Sequence, residues 1–244
     1  MKLNCDLGES FGVWNMGQDS AIMPYIDMAN IACGFHAADP LTIEQTLQLA
    51  IEHKVALGAH PSYPDLVGFG RRSMQCSADE VRAMLFYQVS ALSGMAQVYG
   101  AQLSYIKPHG ALYNDMMRSD ALMDTVMQTV AQFSEKLELV IQATEKNDHY
   151  REKAEDHDIG LQFEAFADRA YDDEGLLLPR SEAGAVFHET ATILDRVKRL
   201  AEEGVLLSAS GKKILLAPDT LCVHGDNPQS IALVQDIRRV LDGL

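Results

Sequence analysis

Histidines, carboxylates and cations recur in this sequence at one kind of place, the point where an apolar run stops. Leu103 to Ile106 is such a run, and it ends in Lys107-Pro108-His109-Gly110. Ile31-Ala32-Cys33-Gly34-Phe35-His36, Val55-Ala56-Leu57-Gly58-Ala59-His60-Pro61 and Leu221-Cys222-Val223-His224-Gly225-Asp226 have the same form. Four of the eight histidines therefore close an apolar stretch. Asn4-Cys5-Asp6-Leu7-Gly8-Glu9 and Phe163-Glu164-Ala165-Phe166-Ala167-Asp168-Arg169 do so with carboxylates. A buried strand that turns at Pro or Gly presents its last polar side chains at its C-terminal end. If the runs are parallel strands of one sheet, all these groups share one rim.

The residue types at that rim suit hydrolytic chemistry. Two nearby carboxylates, Asp6 and Glu9, can split their pKa values and serve as acid and base, or share a metal. The plainer roles are a turn cap for Asp6 and a solvated charge for Glu9. His36, His60, His109 and His224 could line a pocket or gather around a metal with an acidic partner. No HxxxH or HExxH spacing occurs, so the sequence leaves a metal open. Lys107 at a strand end could neutralise a substrate carboxylate or phosphate, or polarise a carbonyl. Asp168-Arg169 is either a structural ion pair or a base beside a fork for a carboxylate. Gly68-Phe69-Gly70-Arg71-Arg72 is a Gly-rich loop with two cations, suited to an anion. Asp39 ahead of Pro40 is explained by helix capping alone.

The elements that must hold these groups alternate. Residues 2–5, 27–33, 55–59, 103–106, 137–143 and 160–166 read as strands, with a further strand near 214–216 and a run at 221–223. Helices are expected at 40–51, 77–100, 119–136, 146–158, 188–203 and after 226, the second opened by the capping box Ser77-Ala78-Asp79-Glu80. About seven strand–helix units in 244 residues point to a closed α/β barrel of the TIM type, 1–244 as one domain, with catalytic groups at the C-terminal strand ends. Twenty basic against 35 acidic residues, a net charge of −15, argue against nucleic acid or an anionic membrane surface. The four cysteines lack CxxC spacing and read as reduced core residues. With no signal peptide and no apolar run of membrane length, a cytoplasmic protein is expected. There is no GxSxG, no GxGxxG and no GxxxxGK[ST], so a nucleotide would be held in a non-standard way or by a partner.

Taken together, the rim segments resemble a known family. Asn4-Cys5-Asp6-Leu7-Gly8-Glu9, Asn30 to Asp39, Gly58-Ala59-His60-Pro61, Phe69-Gly70-Arg71, Lys107 to Tyr113, Phe166-Ala167-Asp168-Arg169-Ala170-Tyr171 and Cys222-Val223-His224-Gly225-Asp226 resemble, in order, the LamB/YcsF family of prokaryotic 5-oxoprolinase components. Cys5 stands where Ala is common, and Ala38 where Gly is common. The resemblance implies a seven-stranded (β/α) barrel related to the polysaccharide-deacetylase superfamily. It also implies ATP-dependent opening of the 5-oxoproline lactam to glutamate, with ATP and Mg2+ as cofactors and B and C subunits as partners. The superfamily's metal triad, an Asp with two closely spaced His, is not visible in the spacing.

On this reading Asp6 or Asp168 activates water, with Glu9 beside it, and His109 shuttles the proton. Lys107 and Arg169 hold the carboxylate and the developing negative charge. His36, His60, Arg71, His224 and Asp226 line the pocket. Two other classes stay open: a metal-dependent deacetylase or amidohydrolase acting alone on a small amide, and a non-catalytic 5-oxoproline-binding protein.

Overall fold

Strand and helix alternate as the hydrophobic periods require, and the strands close on themselves. The computed structural model describes residues 1–224 and 228–243. The strands are β1 (Lys2–Leu7), β2 (Met28–Ala32), β3 (Ala56–His60), β4 (Leu103–Ile106), β5 (Glu138–Gln142), β6 (Leu161–Phe166), β7 (Val205–Leu207), β8 (Lys213–Leu215) and β9 (Thr220–His224). The helices are α1 (Asp19–Ile22), α2 (Pro40–Glu52), α3 (Ala78–Val98), α4 (Gly110–Arg118), α5 (Asp120–Val130), α6 (Asn147–Glu155), α7 (Thr190–Glu203) and α8 (Pro228–Asp242). Strands β1 to β6 and β9 form a closed, all-parallel barrel of seven strands, in which β9 pairs with both β6 and β1. The expected seven-stranded (β/α) barrel is the fold observed.

Side chains alternate across each strand, and the two faces have different jobs. One face supplies the shell packed under the helices, with Leu3, Cys5, Ile31, Leu57, Ile106, Ile141 and Phe163 all fully or nearly fully buried. The other face fills the barrel. At its bottom Met28, Tyr105 and Val140 make a small apolar plug. Above it the lining turns polar: Asn4, Asn30, Glu164 and Thr220 are all inaccessible to solvent. At the C-terminal mouth it becomes charged. The barrel interior thus runs from apolar floor to ionic rim.

A seven-stranded barrel is narrow, and one glycine makes room inside it. Gly58 on β3 pairs with Tyr105 on β4, and a Cβ there would lie 2.1 Å from Tyr105 ring carbons. The absent side chain lets the tyrosine cross the barrel and donate to Asn30 Oδ1 at 2.8 Å. Overpacking by one methyl in such a core costs about 1–3 kcal/mol. Gly58→Ala is therefore expected to lower unfolding free energy by at least that much, read by urea denaturation. An unchanged midpoint would mean that the ring has another place to go.

Several boundaries differ from the sequence reading. Helix α4 lay unseen behind the Pro108-His109-Gly110 turn, and the helix expected over 119–136 ends at Val130. The strand near 214–216 is not a stave: β7 and β8 form a separate antiparallel pair outside the barrel. Asp39 caps α2 by accepting from Leu41 and Thr42 amides, and Ser77 with Glu80 forms the capping box of α3, as expected. Ala38 adopts φ 71°, the left-handed region that favours glycine and costs other residues about 1–2 kcal/mol. That is the position where the resemblance expects Gly. No helix among the described residues is long and apolar enough to cross a membrane.

Candidate active site

Lys107 organises the mouth. Its backbone N–H donates to Ala59 O, which places the side chain directly above the polar layer of the barrel. The ammonium lies 2.8 Å from Asp6 Oδ1 and 2.8 Å from Glu164 Oε1, with Asn4 Oδ1 at 3.3 Å and Cys222 Sγ at 3.2 Å. Burial alone would discharge it. The surrounding Asp6, Cys222 and Glu164 outweigh that penalty and hold its pKa well above the ordinary lysine value. The ammonium directs its hydrogen bonds inward and serves as a fixed positive charge beneath the cavity.

Asp6 is held from two sides. Its Oδ1 accepts from Lys107 and from Asn30 Nδ2 at 2.8 Å, while Oδ2 lies 3.4 Å from His60 Nε2. Asn30 is itself oriented by Asn4 and Tyr105. Glu164 receives a second hydrogen bond from Tyr113 on α4 at 3.0 Å. A carboxylate so fixed presents one oxygen to the cavity in a set direction, which is what a general base needs.

The histidines meet beside it. His60 Nδ1 donates to Lys107 O at 2.6 Å, and His109 Nε2 donates to Phe69 O at 3.0 Å. Carbonyl oxygens only accept, so each of these ring nitrogens is a donor and the second nitrogen of each ring is turned away from the backbone. Those two nitrogens, His60 Nε2 and His109 Nδ1, face each other at 2.9 Å. His36 stacks on His109 with centroids 3.7 Å apart and rings 7° from parallel, and its Nε2 lies 3.3 Å from Glu9 Oε1. Burial, with the other two histidines adding to it, holds His109 well below the usual histidine range; burial does the same to His36. Neutral imidazoles are the form that ligates metals. Glu9, His36, His60 and His109 place ligand atoms within 4.8 Å of one another.

Two glycines let these rings come together. Gly70, at φ 63°, sits where a Cβ would meet His109 Cδ2 and His36 Cβ at 2.8 Å each. Gly110 packs so closely on the Gly70 carbonyl that a Cβ would approach its oxygen to 2.5 Å. The loop between β3 and α3 is thus pressed onto the start of α4 through backbone alone.

A cavity of about 420 Å3 opens above this floor. Asp6, Glu9, His60, Arg71, Lys107, His109 and Arg169 line it, so seven of the eleven residues expected at the site converge. Arg118 and Arg180, which the sequence reading did not single out, also line it. The wall is cationic although the chain is strongly acidic. Arg71 lies 4.9 Å over the Phe69 ring. Arg169 is largely buried and donates to Ala185 O and Leu178 O, which ties the 169–186 segment over the mouth. Burial, then the like charge of Arg180, pushes its pKa down to about 10.

Of the remaining expected residues, His36 and Asp168 are placed off the cavity wall, and the side chains of the other two are not described. His36 stands behind Glu9 and faces an adjoining apolar cleft with Phe11, Trp14, Met16 and Val67. Asp168 follows β6 but is not among the cavity-lining residues; its charge favours the guanidinium groups of Arg169 and Arg196. The backbone of His224 ends β9, whereas its side chain and Asp226 lie outside the described residues. The cysteines are free thiols, and Cys5, Cys33 and Cys222 are buried.

Comparison with known proteins extends the geometry. The chain is 54% identical over 241 residues to a Vibrio campbellii protein named as the A component of 5-oxoprolinase, covering 99% of this chain and 95% of that one. A Pseudomonas putida protein, named as a second such A component, is 52% identical over 242 residues, covering 99% and 94%. Among solved structures, the lactam utilization protein of Thermus thermophilus superposes with a TM-score of 0.90 at 37% identity, covering 100% of this chain and 96% of that one. The sequence model of one family matches residues 1–243, and by that match and these relatives the chain belongs to the LamB/YcsF family.

Proposed function

We propose that this chain is the lactam-opening component of an ATP-dependent 5-oxoprolinase, a cytoplasmic enzyme completed by B and C subunits, converting 5-oxoproline to glutamate. The observation that carries the reading is Asp6, fixed by Lys107 and Asn30 on the floor of a cavity walled by arginines. The names of the relatives, one a 5-oxoprolinase component and the other a lactam utilization protein, support the substrate class.

The chemistry explains why a nucleotide is needed. A five-membered lactam is a resonance-stabilised amide with little strain and resists attack by water. ATP, with Mg2+, supplies a phosphoryl group for the lactam oxygen and so creates a leaving group. Arg71 and Arg180 bind the substrate carboxylate and the anionic oxygens, because guanidinium forks suit both geometries. Asp6 Oδ2 takes the proton from a water attacking the activated ring carbon, and the same carboxyl group returns it to the ring nitrogen as the C–N bond breaks; the acyl phosphate so formed is hydrolysed by a second water to glutamate and inorganic phosphate. Lys107 keeps Asp6 in place and offsets its charge. The 169–186 segment, pinned by Arg169, limits access of bulk water.

Arg71→Ala tests the anion site. Loss of one charge-assisted contact is worth about 1.5–3 kcal/mol, so KM for 5-oxoproline in the assembled complex is expected to rise about 10- to 100-fold with kcat less affected. An unchanged KM would move carboxylate binding to another residue. A second reading, a metal-dependent amide hydrolase acting alone, is favoured by the convergence of Glu9, His60 and His109. It predicts turnover without ATP or partners.

A further inference from the structure

We infer that Glu9, His60 and His109 form a binding site for one divalent first-row metal ion of the zinc type, with a coordination position open to the cavity. Two backbone carbonyls decide the matter for the rings. Because Lys107 O and Phe69 O each take an N–H, the second nitrogens of the two rings are the ones turned toward each other, 2.9 Å apart, on the side of Asp6 and Glu9. Carbonyl-oriented imidazoles of this kind are the usual outer support of metal-bound histidines.

Glu9 adds a third acceptor, its Oε1 lying 3.7 Å from His109 Nδ1. Asp6 Oδ2 stands 3.4 Å from His60 Nε2. A shared proton can join two acceptors, but three or four converging on one point call for a cation with more coordination positions. Ligand atoms around tetrahedral zinc, with bonds of about 2.0–2.1 Å, sit about 3.3 Å apart. The observed separations bracket that value, and small side-chain rotations complete the set. The charge also fits: Asp6 and Glu164 both pair with the Lys107 ammonium, and Glu9 adds a further carboxylate at the cavity.

His36 belongs to the outer ring of the site. Its plane is parallel to that of His109 and stacked on it, so the in-plane lone pairs of the two rings cannot meet on one ion. Its Nε2–H instead holds Glu9 Oε1. Glu9, His60 and His109 line the cavity whereas His36 does not, which leaves the open position on the substrate side. Two histidines and one glutamate with an open position is a composition of catalytic rather than structural zinc sites. Such an ion polarises a carbonyl or acidifies bound water. Ligation also occupies the His109 lone pair that a proton shuttle would require.

The test uses the full chain, stripped with chelator and titrated calorimetrically with Zn2+ and, in parallel, Co2+ followed by visible absorption. One ion per chain is expected, with affinity falling more than about 100-fold in Glu9→Gln and His109→Ala, beyond the loss typical of outer-shell changes. His149→Ala, on the exposed face of α6, is expected to bind as wild type. If the site variants fail to fold, X-ray absorption of the zinc-loaded wild-type chain decides, with two imidazole nitrogens and a carboxylate oxygen expected. Absence of stoichiometric binding, or equal binding by Glu9→Gln and His109→Ala, overturns the inference. Because none of these measurements involves 5-oxoproline or ATP, a wrong substrate assignment leaves the result readable.

Discussion

Replacing Asp6 by Asn is expected to reduce glutamate release by the assembled complex about 10²- to 10⁴-fold, the usual contribution of a positioned general base. The amide keeps the shape and still accepts from Lys107 and Asn30 at Oδ1, while its Nδ2 can no longer take a proton. The loss is expected in kcat, because Asp6 lies on the floor and the anion-binding cations lie on the wall. Lys107 keeps Glu164 at 2.8 Å, so the barrel retains a buried pair and the variant stays folded. Circular dichroism of the variant and initial rates of the reconstituted complex measure the two effects separately. Full activity in a folded variant would remove Asp6 from the chemistry and turn attention to Glu9.

The second large effect concerns stability. Lys107 bridges Asp6 and Glu164, and the side chains of Lys107 and Glu164 are 3% and 0% exposed. Removing one partner of a buried pair leaves an uncompensated charge and costs about 3–5 kcal/mol. Lys107→Met is expected to lower the unfolding free energy of the isolated chain by that amount at neutral pH. Adding Glu164→Gln is expected to restore part of it, because the stranded carboxylate is gone.

The pH dependence separates charge from packing. In wild type the Lys107 pKa is raised, so its contribution is complete below the unfolded lysine value of about 10.4 and is lost only as pH rises through the higher folded value. In Lys107→Met the stranded carboxylates favour protonation, so the deficit relative to wild type is expected to shrink as pH falls from 8 towards 5. A deficit constant across that range would assign the effect to packing. Urea unfolding at three pH values suffices.

The rim was legible in the sequence because each apolar run stops at the residue that matters. Asp6, His60, Lys107 and His109 all follow that pattern, and parallel strands carry them to one end. What stayed hidden depends on neighbours across the barrel. Glu164 lies within its strand, so nothing marks it as the partner of Lys107 until β6 and β4 face each other across the interior. Asn4 and Asn30 likewise look like minor interruptions of strands, and only closure turns them into a hydrogen-bonded layer. The ligand spacing of His60 and His109 is invisible to any motif with short gaps. They are neighbours because Ala59 pairs with Ile106 and His109 N–H donates to Pro61 O. Asp168 shows the opposite case: it closes a strand as Asp6 does, yet it is not among the residues that line the cavity, and its charge acts on Arg169 and Arg196. Helix α4 escaped because Pro108 and Gly110 signal a turn, and the turn signal outweighs a short stripe of Leu112, Met116 and Met117.

If this barrel opens a lactam only when ATP and partner subunits make the amide reactive, one measurement tests it most directly. It is glutamate release from 5-oxoproline, with and without ATP, by this chain alone and then with the B and C subunits. Release is expected only with ATP and partners together, and is expected to be lost when Asp6→Asn replaces the wild-type chain. Release by the chain alone without ATP would contradict this mechanism and establish a self-sufficient amide hydrolase.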